Sequence, residues 1–499
     1  MVESQIKIVQ EKNEEELKKN RKPSVAFATL GCRVNHYETE AMTEKFLREG
    51  YEITEFDNFA DVYVINTCSV TNMSDKKSRQ IIGRARRKNE NAVIAAVGCY
   101  SQVSPDEVSK IDGVDVVLGT RNKGDVVYYV NKAKDEGKMQ VAVGEVLKNK
   151  TFEELNIEEY QDKTRAFLKI QDGCNRFCTY CLIPYTRGRT CSKDPDKVLE
   201  EIKRLEEHGF KEIILSGIHT ASYGVDLEGD VTLISLLQEI EKLDGIERVR
   251  IGSIEPSFFT DEVIEKMRHM KKLCPQFHLS LQSGCDETLK RMNRRYTAKE
   301  YEEAVYKIRE NLKDASITTD VIVGFPGETD EEFNETYKFL ERIKLTKTHI
   351  FKFSPRKGTK AENMPNQVDG TIKEKRSKAL IELNNKNEGE FSESLVRREM
   401  DVLVEKELNE KPGYFEGYTR NYVRVVFESE KSDIIGKIVK CKIEEANGDY
   451  ARRHRHQLFE AARLDPRQLL ALGADVVDVG DHVVEFVANG FLQCRDLIG

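Results

Sequence analysis

Asp-Gly-Cys-Asn-Arg-Phe-Cys-Thr-Tyr-Cys, residues 172–181, sets three cysteines within eight residues and offers no fourth. A structural zinc site closes a tetrahedron with four ligands, whereas a catalytic site keeps one position open. Thiolates at short intervals suit zinc or iron–sulfur. A four-iron cluster on three cysteines leaves one iron open, so the missing ligand marks where a substrate would bind. The stretch stands at the carboxyl end of the first in a series of apolar runs, and that series decides the fold.

From 165 to about 355 the candidate strands are AFLKIQDG, EIILSGIH, RVRIGSIEP, FHLSLQSG, TTDVIVGFPG and THIFKFSP. Helical segments such as DPDKVLEEIKRLEEHG and TAKEYEEAVYKIRENL separate them, with Gly209 as a C-terminal stop. Six βα units predict a three-quarter barrel or a long open sheet, and leave a side open that a closed eight-strand barrel would not. Upstream, 24–145 repeats the alternation with SVAFATL, DVYVINT and NAVIAAV, which predicts an open parallel α/β sheet. The polar stretch 146–164 reads as a linker, and 1–23 as a charged extension. A charged connecting helix over 371–390 leads from the core (165–370) to 391–450, where runs such as YVRVVF and IIGKIVKCKI predict a small β-barrel. The segment 451–499 has six arginines and no lysine after a lysine-rich chain. It reads as foreign to the rest and is set aside.

Cys32, Cys68 and Cys99 each follow one of the three upstream strands. In an open parallel sheet the carboxyl ends gather along one edge, where ligands bind. Topology would therefore assemble a second set of three thiols from residues far apart in sequence, although a lone strand-end cysteine would be an ordinary small core residue.

The 499 residues are 39% apolar and 33% charged with eleven cysteines. An odd cysteine count in a cytosolic composition argues against a disulfide framework. No apolar run approaches a membrane span and the first residues lack a signal-peptide core, so a cytoplasmic protein without a membrane partner is expected. The net charge of −8 excludes general electrostatic attraction to nucleic acid, and any RNA contact must be local.

Cys-x3-Cys-x-aromatic-Cys, with Tyr180 as the aromatic, resembles the signature of radical S-adenosylmethionine enzymes. Together with the upstream cysteines and the C-terminal β-domain, it makes residues 24–446 similar to the methylthiotransferases, with a (β/α)6 partial TIM-like barrel as the core. LGCRVNHYETE (30–40) looks most like the tRNA enzymes acting on threonylcarbamoyladenosine next to the anticodon. The resemblance implies a [4Fe–4S] cluster on Cys174, Cys178 and Cys181 whose open iron chelates S-adenosylmethionine. Reductive cleavage would give a radical that takes hydrogen from C2 of the adenine. A second [4Fe–4S] cluster on Cys32, Cys68 and Cys99 would present methylated sulfur to that carbon. The partners implied are tRNA, an electron donor such as flavodoxin or ferredoxin, and a sulfur donor.

Strand-end positions nominate the S-adenosylmethionine pocket: Tyr180, Ser216 and Gly217, Ser253 and Glu255, Gln282, and Asp320 with GFPGET (324–329). Many radical enzymes carry Gly-Gly-Glu where this chain has Ser216 and Gly217, so an acidic group is missing at that place. Basic runs at 76–88, 186–189 and 290–295 are candidate phosphate contacts, with Arg187 and Arg189 foremost. Arginine there could instead orient the cofactor or a substrate carboxylate. The β-domain resembles the TRAM module, yet 391–450 carries ten Lys/Arg against thirteen Asp/Glu. Tyr418, Arg420, Tyr422 and Arg424 alternate as though on one strand face, where they could stack on bases or hold phosphates. Cys191, Cys274, Cys285 and Cys441 lack ligand spacing and read as plain thiols, and His36 and His219 as packing or capping residues.

Two other substrates fit the same chemistry: isopentenyladenosine in tRNA, and an aspartate of a ribosomal protein. A reading of a different class is a non-catalytic iron–sulfur or zinc scaffold that binds RNA. It has no use for two incomplete ligand sets.

Overall fold

A computed structural model describes residues 21–149, 151–155, 157, 164–447 and 450–453. The N-terminal extension up to residue 20 and the segment from 454 onward lie outside the described residues, and with them most of the stretch read as foreign.

The first unit is a parallel sheet of β1 (Ser24–Thr29), β2 (Glu52–Thr54), β3 (Val62–Thr67), β4 (Val93–Gly98), β5 (Val116–Leu118) and β6 (Gln140–Ala142), in the order β2-β1-β3-β4-β5-β6. β3 and β4 are buried along their whole length, as expected of strands covered by helices on both faces. Helices α1 (Arg33–Arg48), α2 (Asn72–Lys88) and α3 (Cys99–Val103) follow β1, β3 and β4. Cys32 is the residue before α1, Cys68 directly follows β3, and Cys99 opens α3.

The core contains β7 (Arg165–Lys169), β8 (Gln171–Asp172), β9 (Cys191–Ser192), β10 (Glu212–Ser216), β11 (Arg248–Ile251), β12 (Gln276–His278), β13 (Ser316–Val323) and β14 (Lys347–Lys352). All six expected strands are present. They pair in parallel as β7-β10-β11 and β12-β13-β14. Parallel bridges Val249–Leu273 and Ile254–Leu279 carry the curve across the two halves. The result is an open partial barrel. The helix Pro195–Glu207 begins at Asp194, whose carboxylate accepts from the Asp196 and Lys197 amides. The helix Ala298–Asn311 begins with a Thr297/Glu300 capping box.

The stretch 146–164 is less of a free linker than its polarity predicts. Leu155 and Ile157 are fully buried with Tyr37 and Ala41 in the same apolar cluster as the barrel, and Tyr37 Oη donates to the Leu155 carbonyl. Two apolar side chains therefore strap the first unit to the core.

The helix Gly370–Glu393 leads to a curled six-stranded sheet, largely antiparallel: β15 (Glu399–Glu407), β16 (Tyr414–Thr419), β17 (Arg424–Glu428), β18 (Ile438–Lys442), β19 (Glu445–Asn447) and β20 (Tyr450–Arg453). β20 pairs in parallel with β17 through Arg453, so the last strand runs past residue 450. The turn between β16 and β17 docks on the amino-terminal ends of the barrel strands. Arg248 donates to the Tyr418 and Asp401 carbonyls, Arg250 to those of Thr419 and Arg420, and Ser316 Oγ to that of Asn421. The β-domain thus covers the end of the barrel opposite the cysteine-bearing loops. No helix among the described residues is long and apolar enough to cross a membrane.

Candidate active site

At the carboxyl ends of β7 and its neighbours, Cys174, Cys178, Tyr180, Cys181, Ser253 and Glu255 line one cavity of about 120 Å³, together with Arg176, His219, Ser280 and Arg294. The loop that carries the cysteines is held by short-range backbone constraints. Gly173 has φ +68°, and a Cβ there would lie 2.1 Å from the Arg189 carbonyl oxygen, so only glycine lets the two loop segments meet. The Cys174 amide donates to the Gly188 carbonyl and the Cys181 amide to that of Cys178.

Donors point at sulfur. The Arg176 amide lies 3.4 Å from Cys174 Sγ and Arg294 Nη1 lies 3.3 Å from Cys178 Sγ. Burial pushes the Cys174 thiol up to about 11, with Cys178 and Glu255 adding to the rise. Cys181 is raised further by burial and by Cys178. Cys174 and Cys181, both raised in a buried pocket, become thiolates only if a cation compensates them. The donor set therefore fits an iron–sulfur cluster with one iron not ligated by cysteine.

An acidic side chain does line this cavity, Glu255 after β11. It is buried, with Oε2 at 2.6 Å from Arg176 Nη2 and 3.2 Å from His219 Nε2, and Oε1 at 3.3 Å from Arg294 Nη2. Burial opposes its ionisation, but His219 and Arg294, then Arg176, hold it down to about 2. The carboxylate is charged at neutral pH.

The second set of thiols sits as the strand-end argument predicts, on the adjacent strands β1, β3 and β4. Burial pushes Cys68 up to about 12, with Cys99 and Cys32 contributing. Burial also raises Cys99, against the pull of Arg187 and Lys123. Gly31 has φ +101°, and a Cβ there would come within 2.9 Å of Cys68 Sγ, so the chain before Cys32 runs directly against Cys68. Asn35 Nδ2 donates to the Leu30 and Thr67 carbonyls, tying the ends of β1 and β3 together. This set fits an iron–sulfur centre by the same donor chemistry.

The two edges face one another through buried charge. Arg187, fully buried at the end of the helix Ile183–Arg187, lies 2.8 Å from Glu38, 3.1 Å from Asp172 and 2.5 Å from Asn35 Oδ1. Lys169 bridges the same carboxylates at 2.7 Å each, and Lys123 completes the group on Glu38. Arg356, beyond β14, reaches Ser69 Oγ at 2.8 Å and Asp75 at 2.8 Å, directly after Cys68. The role expected for Arg187 as an RNA or substrate contact is corrected: its partners in the first unit lie about 150 residues away, and no solvent reaches it.

The other candidates divide. Arg189 is exposed and stacks over Phe177 at 5.5 Å. Ser216 is buried at the end of β10 with its carbonyl accepting from Ile170. Gly217 is pressed against Gln171. Neither lines the cavity. Gln282, at φ +72°, bridges to β13. Asp320 faces His278 and His349 inside the barrel, away from the cysteine loop. GFPGET is a turn clasped by Glu328, which accepts from the Gly324 amide and Arg376, with Phe325 packed on Tyr180 at 6.2 Å between ring centroids.

Arg420 and Arg424 are corrected as well. The four alternating residues do not share a strand, because residues 420–423 form the β16–β17 connection and Tyr422 has φ +66°. Tyr418 and Tyr422 stack on each other at 4.8 Å, with Arg165 at 4.8 and 5.1 Å over their rings. Arg420 donates to the Leu273 carbonyl at 3.0 Å and Arg424 to Glu416 at 3.0 Å. Tyr418, Arg420 and Tyr422 make a domain interface, whereas Arg424 pairs within the β-domain. Sequence reasoning also missed Arg176 and Arg294, reading the latter as one of a basic run. Cys191, Cys274, Cys285 and Cys441 are buried, as plain thiols should be.

A partial (β/α)6 barrel with three thiols on its first loop defines the Radical SAM superfamily, whose profile matches residues 168–340. An uncharacterized protein family, UPF0004, matches 24–119, and the TRAM domain matches 393–452. S-adenosylmethionine and an iron–sulfur cluster are the cofactors of that superfamily's chemistry. The chain is 44% identical over 449 residues to the threonylcarbamoyladenosine tRNA methylthiotransferase MtaB of Bacillus subtilis, covering 88% of this chain and 99% of the relative. It is 41% identical to the protein of the same name from Aquifex aeolicus, over 84% of this chain and all of the relative. A tRNA-2-methylthio-N(6)-dimethylallyladenosine synthase of Thermoanaerobacter is 37% identical, over 89% and 94% of the two chains. The chain belongs to the radical S-adenosylmethionine methylthiotransferase family. Its fold is also like that of the radical S-adenosylmethionine methyltransferase TsrM from Kitasatospora setae, with a TM-score of 0.51, 14% identity, and 68% and 74% of the two chains covered.

Proposed function

We propose that the chain transfers a methylthio group to C2 of N6-threonylcarbamoyladenosine next to the tRNA anticodon, in the cytoplasm. The observation that carries this reading is the docking of two strand edges, each with three cysteines and no fourth, through Arg187 and Arg356. The higher identity to relatives named for threonylcarbamoyladenosine than to those named for dimethylallyladenosine supports the substrate.

Cys174, Cys178 and Cys181 would hold one [4Fe–4S] cluster and Cys32, Cys68 and Cys99 a second. When bound, the first supplies the electron for S-adenosylmethionine cleavage and the second the sulfur-transfer site. The chain's own residues bind and orient. Arg176 and Arg294 direct N–H groups at thiolate sulfur, which favours the deprotonated ligand. Glu255 is charged and placed beside the thiols, suited to the ammonium of S-adenosylmethionine. Tyr180, packed against Phe325, walls the pocket and excludes water. Ser253 adds a hydroxyl. Arg189 and the exposed Lys76, Lys290 and Arg295 surround the same edge and suit phosphate contacts. An electron donor such as flavodoxin or ferredoxin and a source of sulfur complete the requirements. The three units, 24–145, 165–370 and 391–450, would divide the work as sulfur edge, radical core and RNA module.

Nucleoside mass spectrometry on tRNA from cells lacking the chain, and from cells re-expressing it, tests the reading. Loss and recovery of the methylthio form of threonylcarbamoyladenosine is expected. An unchanged level of that nucleoside refutes the substrate, and a change in methylthio-isopentenyladenosine in the same digest would replace it.

A further inference from the structure

Inside the barrel, away from either set of cysteines, β12, β13 and β14 bring together His278, Asp320 and His349. One ligand atom from each lies within 4.8 Å of the others. Strand register explains the meeting. His278 pairs with Thr318, two residues before Asp320, and Asp320 pairs with His349, so all three side chains leave the same face of the sheet. On β13 the alternate residues Ile317, Val321 and Val323 pack in the apolar cluster on the other face, which leaves Asp320 to the lumen. The site lies between the cavity lined by Ser280 and the barrel end covered by the β-domain.

Hydrogen bonding inside the trio is incomplete. His278 Nδ1 lies 3.0 Å from Thr318 Oγ1, which fixes the ring, and with the proton on Nδ1 the Nε2 lone pair is left for a ligand. Nε2 is 3.3 Å from Asp320 Oδ2, so in that tautomer a lone pair faces a carboxylate. His278 is 5% exposed, and neither its Nε2 nor Asp320 Oδ1 has a hydrogen-bond partner among the described residues. A buried imidazole nitrogen and a carboxylate oxygen turned toward each other want a cation between them. An imidazole whose second nitrogen is held by an oxygen is the usual form of a metal-ligating histidine. The His349 ring, 6.0 Å from that of His278 between centroids and inclined by 41°, supplies the third donor.

We propose that His278, Asp320 and His349 form a mononuclear site for a divalent transition cation of the zinc, ferrous or manganous class. Two imidazoles and one carboxylate select such ions over calcium or magnesium, which prefer all-oxygen shells. Three protein ligands leave coordination positions open toward the lumen. A water or an oxygen of a molecule in the barrel can fill them. The site is independent of the substrate assignment, since it rests on the trio alone.

The test is a manganese titration of the anaerobically reconstituted holoenzyme with its clusters oxidised, followed by the electron paramagnetic resonance of free Mn2+. One saturable equivalent per chain is expected, and Zn2+ should displace it, following the order of affinities for nitrogen and oxygen ligands. Asp320→Asn and His349→Gln should each abolish that equivalent while the iron content of the protein and its thermal unfolding stay as in the parent. Failure of the parent protein to bind Mn2+ or Zn2+ saturably overturns the proposal. So does binding that persists in both variants, which would assign the ion to another place.

Discussion

Replacing Arg187 by methionine tests whether buried charge fixes the two cysteine edges against each other. The side chain is of similar length, so the change removes charge and donors more than volume. The arginine makes five contacts, to both oxygens of Glu38 (2.8 and 3.1 Å), both of Asp172 (3.1 and 3.2 Å) and Oδ1 of Asn35 (2.5 Å). Glu38 keeps Lys169 and Lys123, and Asp172 keeps Lys169 and the Gly173 amide, so neither carboxylate is stranded. Among the described residues Asn35 Oδ1 keeps no donor. Removing one partner from a buried ionic group typically costs ~3–5 kcal/mol. The surviving lysines put this case at the low end, ~3 kcal/mol, with ~1–3 kcal/mol of it from the unsatisfied amide oxygen.

Asn35 is also the residue that ties the Leu30 and Thr67 carbonyls together beside Cys32 and Cys68, so the loss falls on the N-terminal thiols. A cost of ~3 kcal/mol raises the population of the opened state by about 150-fold. Amide hydrogen exchange over residues 30–38 should quicken by about that factor, because exchange from a locally opened state follows its free energy. Iron should fall from about eight per chain toward about four if the second cluster is lost, while uncoupled cleavage of S-adenosylmethionine persists. Arg187→Lys keeps the charge without the forked geometry and should fall between. Unchanged exchange over 30–38 together with full iron content in Arg187→Met would refute the reasoning.

Cys178→Ser should abolish S-adenosylmethionine cleavage and leave the N-terminal cluster visible by Mössbauer spectroscopy, whereas Cys68→Ser should keep uncoupled cleavage and stop thiolation of tRNA; the reverse pattern would exchange the two roles. Gly31→Ala combines a left-handed backbone with a Cβ 2.9 Å from Cys68 Sγ, and should cost ~1–2 kcal/mol and lower iron incorporation, read by iron analysis. Burial opposes ionisation of Glu38 and Asp172, yet Arg187 and the neighbouring lysines hold both below the ordinary carboxylate range. Because their folded values are depressed, their contribution to stability is complete above the unfolded value near pH ~4 and is lost as pH falls below it; thermal melting should show this part constant from pH 8 to 5, and a loss within that window would contradict the assignment. Arg189→Ala should reduce the salt slope of tRNA binding by about one, whereas Tyr422→Ala should lower stability at the β-domain interface and leave that slope unchanged.

The cysteine positions were legible because their cause is local. An apolar β-run closed by Gly or Thr and followed by cysteine marks the carboxyl end of a parallel strand, and one sheet order then gathers three such ends. The six core strands were legible for the same reason. Roles decided by distant partners were not. Arg187, Arg294 and Arg420 each stand in a polar or basic stretch, and such a stretch does not reveal which members are neutralised by carboxylates or carbonyls far away in the chain. One trace of the network was present: Glu38 shares a helix face with Val34 and Ala41, and a carboxylate in an apolar row calls for a buried cation. The 418–424 set failed for a different reason. Its alternation held only until Thr419, where the strand ended and a left-handed Tyr422 turned the chain.

That failure changes how the β-domain is connected to the rest. Arg165, at the start of the strand that leads to the cysteine loop, is sandwiched between the stacked Tyr418–Tyr422 pair and Glu405, and Arg250 on β11 lies 4.7 Å from the Tyr422 ring. The same aromatic pair that looked like a platform for bases instead receives two arginines of the barrel. A guanidinium over an aromatic face is a favourable partner when desolvated, and the backbone carbonyls of 418–421 absorb the donors that remain. The rings are therefore spent on holding the module to the amino-terminal end of the barrel, remote from the cysteine loops. The module and the cysteine edge thus lie at opposite ends of the barrel. The gap between β7 and β14 that six strands leave open is bridged at the cysteine end by the first unit, through Lys169 on β7 and Arg356 beyond β14.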